Sequence, residues 1–384
     1  MKENVLVLGL GAYAYGKERR AIFTFKHMPR IKPFYAVSKW EDGSVSLLLK
    51  SEEQESFDAP FGYLGRAKPL WTLVAFAHLP LLWYRIIRIC LGKKCRSIVF
   101  LCLSSFTSAF LPAILLEFFW KVKIVFYMGD IPKKNFPYRM LGQFVNKLSS
   151  HVIANSEAVK RGFVGIGVRE EKIKVVYNGK VLQSPEKFSR MNFRDRFGFS
   201  TNDILVAFLG QLSPNKGIED FIEAATEVLH RQNNCRFVIV GDATALFKDF
   251  ERKLRESVQA LGLTHSIVFT GRMLDVESVY ESIDMVVVPS RHEDPAPNVI
   301  VEAMSYKVPV IATRVGGSIE LVEEGQTGFL VEKKSPSQIA QTILRLIKDP
   351  VLRIKMGLGG RRYAEEKFDI ISNALLVERA ILSS

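Results

Sequence analysis

Short, continuously apolar segments alternate with longer amphipathic segments, and both halves of the chain repeat this alternation. The run VVVPS (Val286–Ser290) is an example, because uninterrupted β-branched residues are typical of a parallel strand buried on both faces. Regular strand–helix alternation predicts a doubly wound α/β domain. Since 384 residues are enough for two domains of ordinary size, we expect two such domains.

The second half shows the pattern most cleanly. Its predicted strands lie at 204–209, 236–240, 266–270, 285–289 and 308–312, and its predicted helices at 217–230, 245–261, 275–282, 299–305 and 336–347. Strand candidates in the first half lie at 5–10, 97–103, 123–127 and 151–154. Because residues 183–202 form a polar stretch between the two patterns, we predict Rossmann-like domains at 1–190 and 191–365. Residues 366–384 are expected to form a helix that packs back on the N-terminal domain.

Positive charge is concentrated in the first half of the chain. Residues 1–190 hold 30 Lys and Arg against 14 Asp and Glu, whereas residues 191–384 hold 23 against 26. Such asymmetry indicates that one half meets a polyanion or an anionic membrane. Nucleic acid is disfavoured as the partner, because no signature of a nucleic-acid-binding module is present.

Basic and aromatic residues cluster in that half: Trp83, Tyr84, Arg85, Arg88, Lys93, Lys94, Arg96, Phe118, Phe119, Trp120, Lys121 and Lys123. They suit a helix at an anionic membrane surface, although a core helix with a solvated basic edge fits as well. The longest apolar stretch, residues 69–84, is shorter than the roughly 20 residues of a spanning helix. The four cysteines lack metal-ligand spacing and are expected to be reduced core thiols. A cytoplasmic protein, peripheral on the inner face of the membrane, is therefore expected.

The segment SRHEDPAPNVIVEAMS (residues 290–305) follows a predicted buried strand and carries two carboxylates. Asp294 lies in the loop, and Glu302 lies about a turn inside a helix for which Asn298 is the expected N-cap. Open α/β sheets bind ligands at the carboxyl ends of their strands. Two acids beside a helix N-terminus suit a ligand with both hydroxyl groups and phosphates.

Two other strand ends carry residues suited to phosphate. Lys216 and Gly217 stand at a helix start, where an ammonium group and backbone N–H groups can hold a diphosphate together. Gly316 and Gly317 follow another strand, and paired glycines let the backbone approach a phosphate or a sugar closely. From the residues alone, a solvated lysine and an ordinary glycine turn remain open as alternatives.

The glycines after the first strand do not have a dinucleotide-binding pattern. Gly9, Gly11 and Gly16 depart from the G-x-G-x-x-G spacing. The next predicted strand ends at Ser38 and Lys39 instead of the acidic residue that would hold a ribose. A nicotinamide-dependent enzyme is therefore disfavoured, and a glycine-rich loop facing an interdomain cleft is the better interpretation.

In their order and spacing, the segments of the second half resemble the retaining glycosyltransferases of family 4, which have the GT-B fold. The matching segments are FLGQLSPNKGIEDFIEA, VFTGRM, VVVPSRHEDPAPNVIVEAMS and VPVIATRVGGSIELVEEGQTGFLV, with further matches at VIANSEAVKRGF and VVYNGK. The resemblance is strong over residues 204–331, whereas the first 130 residues match only in pattern. It implies two domains facing across a cleft, with a UDP- or GDP-sugar bound by the C-terminal domain. It also implies an acceptor bound by the N-terminal domain, and catalysis without a metal or other cofactor.

The resemblance assigns roles to individual residues. It implies that Asp294 contacts the donor-sugar hydroxyls, Glu302 the ribose hydroxyls and Lys216 the diphosphate. The other implied donor-binding residues are Gly210, Gln211, Arg272, Asn298, Arg314, Gly316 and Gly317. On the acceptor side the candidates are Gly11 and Asp130.

Three residues depart from the family pattern. Asp294 stands where Glu is usual, so its carboxylate reaches roughly one C–C bond less far. Gln211 stands in the place of a phosphate-binding Arg, which removes a fixed cation for which Arg272 or Arg314 could compensate. Asp130 follows Met-Gly where His-Asp is common.

We expect a retaining, hexosyltransferase-type glycosyltransferase that moves a sugar to a lipid-linked or saccharide acceptor in cell-surface polysaccharide or glycolipid synthesis. The alternative is a catalytically silent GT-B protein that binds a nucleotide-sugar or scaffolds a glycan assembly complex. A GT-B epimerase acting on a UDP-sugar is disfavoured, because the order of the segments matches family 4 better.

Overall fold

A computed structural model describes residues 2–10, 16–38, 43–59, 69–148, 151–182, 191–273 and 275–383. The chain forms two compact units. Unit 1 comprises Met1–Gly179 and Ile370–Ser384, and unit 2 comprises Lys180–Asp369. The chain thus passes from unit 1 to unit 2 after Gly179, before the predicted boundary at residue 190. It returns to unit 1 after Asp369, beyond the predicted boundary at residue 365.

Unit 1 is built on a parallel sheet whose seven described strands have the order β3-β2-β1-β4-β5-β6-β7. Its elements are β1 (Glu3–Leu8), α1 (Gly16–Lys26), β2 (Ile31–Ser38), α2 (Ser44–Ser51), β3 (Ser56–Ala59), α3 (Pro69–Gly92), β4 (Ser97–Phe100), α4 (Leu103–Ser108), α5 (Phe110–Trp120), β5 (Lys123–Met128), α6 (Phe136–Lys147), β6 (His151–Ala154), α7 (Glu157–Gly165), β7 (Ile173–Val175) and α16 (Ile370–Leu382). The strand predicted at 97–103 ends earlier, at Phe100, because the chain turns into α4 at Leu103.

Alternation along the strands of unit 1 gives the sheet two buried faces. Successive side chains of a strand point to opposite faces, so Leu6 joins one apolar cluster while Val5 and Val7 join the other. The cluster of Leu6 is completed by residues of α3, α5, α6 and α7. The cluster of Val5 is completed by α1, α2 and α16, which therefore packs as part of unit 1.

Unit 2 has a second parallel sheet, in which six described strands have the order β10-β9-β8-β11-β12-β13. Its elements are α8 (Met191–Phe197), β8 (Ile204–Leu209), α9 (Ile218–Leu229), β9 (Cys235–Val240), α10 (Lys248–Ala260), β10 (Ile267–Gly271), α11 (Glu277–Ser282), β11 (Met285–Val288), α12 (Asn298–Ser305), β12 (Val310–Thr313), α13 (Ser318–Leu321), β13 (Gly328–Val331), α14 (Pro336–Lys348) and α15 (Pro350–Lys367). The order of the strands reverses between β8 and β11, and a doubly wound sheet binds its ligand at such a switch point.

The apolar helix α3 is the longest helix described, and Pro80 lies inside it. Neither α3 nor any other helix among the described residues combines the length and the apolarity needed to cross a membrane.

Candidate functional site

With the exception of Arg272, the predicted site residues of unit 2 follow the carboxyl ends of β8, β11 and β12, and these strands are neighbours in the sheet. Gly210, Gln211 and the short 3-10 turn Pro214–Lys216 follow β8. Asp294 lies between β11 and α12, and Gly316 lies between β12 and α13. The fold therefore brings residues that are far apart in sequence to one edge of the sheet, on either side of the switch point.

Gly217 fixes the position of Lys216. Its φ of 69° is left-handed, and a Cβ at this residue would lie 1.9 Å from the carbonyl oxygen of Pro289. The backbone N–H of Arg291 donates to the carbonyl of Asn215 at 2.9 Å. Because only glycine allows this approach, the loop after β8 is held directly against the loop after β11.

Arg291 strengthens the same junction with its side chain. Its guanidinium donates to both carboxylate oxygens of Asp220 in the first turn of α9, at 2.9 and 2.7 Å. It also lies 3.2 Å from Glu219. Arg291 was not among the predicted site residues, although an Arg just after a buried strand and two acids in the first turn of a helix are a detectable signal.

Lys216 and Asp294 meet in this structure. The Lys216 ammonium donates to a carboxylate oxygen of Asp294 at 2.5 Å, and the Asp294 side chain is only 20% exposed. Two side chains predicted to contact adjacent parts of one ligand therefore form an ion pair.

Gly316 and Gly317 lie against the backbone around Asp294. A Cβ at Gly316, whose φ is 55°, would lie 2.4 Å from the carbonyl oxygen of Asp294. The N–H of Gly317 donates to that carbonyl at 2.8 Å. The glycine pair thus shapes the acidic loop, and the Gly317 amide expected to face a phosphate is engaged within the protein.

Glu302 is held by two partners. The hydroxyl of Tyr280 donates to one carboxylate oxygen at 2.9 Å, and the ammonium of Lys180 lies 3.4 Å from the other. Burial, followed by the negative charge of Glu302, raises the pKa of Tyr280 well above its usual value, so the hydroxyl stays protonated as a donor. Tyr280 also stacks on Tyr306 at 5.5 Å between ring centroids. Neither partner of Glu302 was predicted from the sequence as a site residue.

The remaining donor-side residues occupy different parts of the edge. The Gln211 amide donates to the hydroxyl of Thr244 at 3.4 Å. Gly210 approaches Gly241, where a Cβ would lie 1.9 Å from the Gly210 carbonyl oxygen. Asn298 is the first residue of α12, and the N-cap is Pro297 instead of Asn298. The helix thus begins one residue earlier than predicted, because the backbone of Asn298 is already helical.

The two arginines considered as substitutes for the missing cation lie apart from each other. Arg314 follows β12 and pairs with Glu324 at 3.4 Å and Glu332 at 3.5 Å, on the side of β13. Arg272 is exposed after β10, the edge strand beyond β9. Neither position adjoins the switch point between β8 and β11.

In unit 1, Asp130 is exposed just after β5, and Gly11 lies outside the described residues. Beside Asp130, a Cβ at Gly129 would lie 2.6 Å from the guanidinium of Arg20. Arg20 is 7% exposed, stacks over Tyr127 at 4.6 Å and donates to Asn178 at 3.0 Å. Its Nε and Nη2 have no hydrogen-bond partner among the described residues. A buried cation at this carboxyl edge had no signal in the sequence.

The described residues contain no group of three or more His, Cys, Asp or Glu side chains arranged to hold a metal ion.

Comparison with known proteins shows what the chain is similar to. Residues 203–349 match the family described as Glycosyl transferases group 1. An uncharacterized glycosyltransferase of Methanocaldococcus jannaschii is 33% identical over 211 residues, or 52% of each chain. The capsular polysaccharide biosynthesis glycosyltransferase CapM of Staphylococcus aureus is 31% identical over 57% of this chain and 58% of its own length. The chain therefore spans about half the length of the curated relatives it matches.

The whole chain also resembles a solved structure. Anabaena HepE, crystallised with UDP, covers 100% of both chains with a TM-score of 0.83 and 25% identity. The same protein was crystallised with UDP-glucose. Together with the two parallel sheets, this likeness confirms the α/β class and the two Rossmann-like domains of the GT-B fold.

Proposed function

We propose that the chain is a retaining glycosyltransferase, because residues 203–349 match the family described as Glycosyl transferases group 1. It moves a hexosyl group from a UDP- or GDP-sugar to a lipid-linked or saccharide acceptor in cell-surface polysaccharide or glycolipid synthesis. The complexes of HepE with UDP and UDP-glucose favour UDP as the nucleotide. The relatives named for capsular polysaccharide and lipopolysaccharide core synthesis favour a glycan or lipid-linked acceptor.

The observation that carries this proposal is the contact of Lys216 with Asp294, 2.5 Å apart, at the switch point of unit 2. Breaking the anomeric bond builds positive charge on the sugar and negative charge on the leaving diphosphate. Lys216 stabilises the diphosphate, and electrostatic stabilisation of this kind often contributes most to catalysis. Asp294 accepts hydrogen bonds from sugar hydroxyls, and Glu302, oriented by Tyr280, accepts those of the ribose.

In the proposed reaction no protein side chain forms a bond to the sugar. The acceptor hydroxyl attacks from the face that the diphosphate leaves, and the departing phosphate accepts its proton, so the anomeric configuration is retained. The reaction then needs neither a metal nor another cofactor. On the acceptor side, Asp130 stays the proposed contact, and the buried Arg20 beside it makes that edge positive. The protein acts at the cytoplasmic face of a membrane.

The experiment that tests this function measures sugar release from a panel of UDP- and GDP-sugars without acceptor, because many transferases slowly hydrolyse their donor. One nucleotide-sugar should be hydrolysed, and Asp294→Ala should lower the rate at least about 100-fold. Asp249→Ala is the matched control, because Asp249 lies on α10 with its side chain 91% exposed. Proton NMR of the product formed with an acceptor then reads the anomeric configuration.

Tight binding of a nucleotide-sugar with neither hydrolysis nor transfer would instead favour the silent binding or scaffolding protein. The presence of Asp294 where Glu is usual and of Gln211 where Arg is usual favours that alternative.

A further inference from the structure

The end of α5 presents an unusual surface. Phe118, Phe119 and Trp120 are consecutive, and 70%, 63% and 52% of their surfaces are open to solvent. Their rings contact one another edge to face, at 5.0 Å between Phe118 and Phe119 and 5.7 Å between Phe119 and Trp120. Large aromatic side chains grouped on a surface mark an interaction site, because their exposure to water is unfavourable.

Helix α6 brings Lys147, in its last turn, close to this end of α5. The two helices are neighbours, because Phe110 of α5 and Phe144 of α6 lie 4.9 Å apart in an edge-to-face contact. We call the three exposed aromatic side chains at the end of α5 the aromatic face: Phe118, Phe119 and Trp120.

A groove of about 450 Å³ adjoins the aromatic face where α5 ends. Its walls include Phe118 and three lysines, Lys121, Lys123 and Lys147, against one acid, Glu117. We call it the lysine groove. Lys121 and Lys147 are exposed, so their ammonium groups can reach a ligand from solvent.

Positive charge extends from the lysine groove to the start of β6. The pKa of His151 is lowered by burial and then by the nearby charges of Lys174, Lys172 and Lys123. The imidazole is therefore less easily protonated, as expected in a region that is already positive. An anion is the ligand that this charge distribution favours.

Part of the other basic and aromatic cluster, on and after α3, is engaged within unit 1, whereas Tyr84 and Arg88 are exposed. Trp83 donates through its indole N–H to the Ser108 carbonyl at 2.9 Å, and Arg85 donates to the Asp58 carbonyl at 2.8 Å. Lys93 pairs with Glu55 at 3.0 Å. The structure thus divides the predicted membrane-facing residues, and those of α5 remain available.

We propose that the aromatic face inserts into the interface of an anionic membrane and that the lysine groove binds the phosphate of a lipid headgroup there. Aromatic rings favour the boundary between headgroups and acyl chains, and neighbouring lysines add attraction to anionic lipid. We favour a membrane over a protein as the partner of this surface, because its exposed aromatic and basic side chains lie side by side. The choice rests on the proposed function, in which the protein acts at the cytoplasmic face of a membrane.

The test is sedimentation of the full chain with phosphatidylcholine vesicles that contain phosphatidylglycerol. Substituting Phe118, Phe119 and Trp120 together by Ser should weaken binding at least roughly tenfold. The matched control substitutes Val351, Ile354 and Leu358 of α15 by Ser, since these are 76%, 63% and 46% exposed in unit 2. The control variant should sediment like the wild type.

Charge is tested separately with Lys121→Glu combined with Lys147→Glu. This variant should lose binding to the anionic vesicles at low salt, while the wild type should lose it as salt is raised. Trp120 supplies a spectroscopic readout. Adding vesicles should shift tryptophan emission of the wild type to shorter wavelength, and Trp120→Phe should abolish that shift.

The proposal is overturned if the Ser variant sediments with anionic vesicles as well as the wild type. It is also overturned if the substitutions change only the oligomeric state in solution, which would assign the face to a second copy of the chain. The thermal shift caused by UDP should be the same in wild type and Ser variant. If UDP causes no thermal shift in the wild type, this result counts against the proposed function and not against the membrane surface.

Discussion

Among single residues, the glycines at the ends of β8 and β12 shape the candidate site as much as its charged side chains do. A Cβ would lie 1.9 Å from a carbonyl oxygen at Gly217 and 2.4 Å from one at Gly316. Both residues have a left-handed φ, so a side chain there would strain the backbone as well as collide. The Lys216–Asp294 contact thus depends on the absence of a side chain at both of these positions.

Gly217→Ala should destabilise the protein by about 3 kcal/mol or more and weaken UDP binding, because backbone strain and collision with Pro289 add together. Gly262→Ala is the control, because Gly262 has the same φ of 69° and a Cβ there would meet nothing within 4 Å. It should cost only about 1–2 kcal/mol and leave UDP binding intact. Urea unfolding measures both changes, and equal losses in the two variants would contradict the proposed collision.

Tyr280→Phe removes the hydroxyl that donates to Glu302 at 2.9 Å and leaves the buried ring in place. We expect UDP affinity to fall roughly tenfold, because a hydrogen bond to a charged group contributes about 1.5–3 kcal/mol. Calorimetric titration with UDP measures the change. Tyr306→Phe is the control, since it keeps the stacked ring and the Tyr280–Glu302 bond; unchanged affinity in Tyr280→Phe would remove Tyr280 from the site.

His151 makes stability depend on pH. Its pKa in the folded protein is lowered by burial and by Lys174, Lys172 and Lys123, so the unfolded chain binds the proton more readily. The folded state therefore loses stability as pH falls through the usual pKa of histidine, about 6.5, toward the lowered folded value. His151→Gln should show a shallower fall in Tm between neutral and mildly acidic pH; an identical slope would assign the dependence to other groups.

At the scale of elements, most strands and the two loops that carry Lys216 and Asp294 could be predicted from sequence, whereas the short strands β3, β7 and β13 were not predicted. Continuous β-branched runs identify buried strands, and Gly and Pro mark the turns that follow them. The partners of Glu302 could not be predicted in this way. Lys180 and Tyr280 precede it by 122 and 22 residues, so their convergence depends on tertiary packing. Arg20 was missed for the same reason, because its burial against Tyr127 and Gly129 has no local pattern.

Helix α16 supplies part of the core of unit 1, although it comes from the end of the chain. Val377→Ala combined with Ile381→Ala should lower the free energy of unfolding by about 3 kcal/mol or more, because both side chains are buried. Ile371→Ala combined with Leu376→Ala on the same helix is the control, since these are 55% and 47% exposed. It should cost less than about 1 kcal/mol. Equal costs in denaturant unfolding would contradict the packing of α16 on unit 1.

At the scale of the whole molecule, the two units share one design and differ in charge. Each has a parallel sheet whose strand order reverses once, between β1 and β4 in unit 1 and between β8 and β11 in unit 2. Apart from Arg272 and Arg314, the predicted donor-binding residues lie near the reversal in unit 2. The excess of positive charge lies in the first half of the sequence, which forms most of unit 1 and carries the aromatic face and the lysine groove.

A crystal structure with UDP bound tests the donor site most directly. We predict that the diphosphate accepts a hydrogen bond from Lys216, that the ribose hydroxyls donate to Glu302, and that the Lys216–Asp294 pair opens or is shared. UDP bound at a distance from the ends of β8, β11 and β12, with that ion pair and the Tyr280–Glu302 bond undisturbed, would contradict the account.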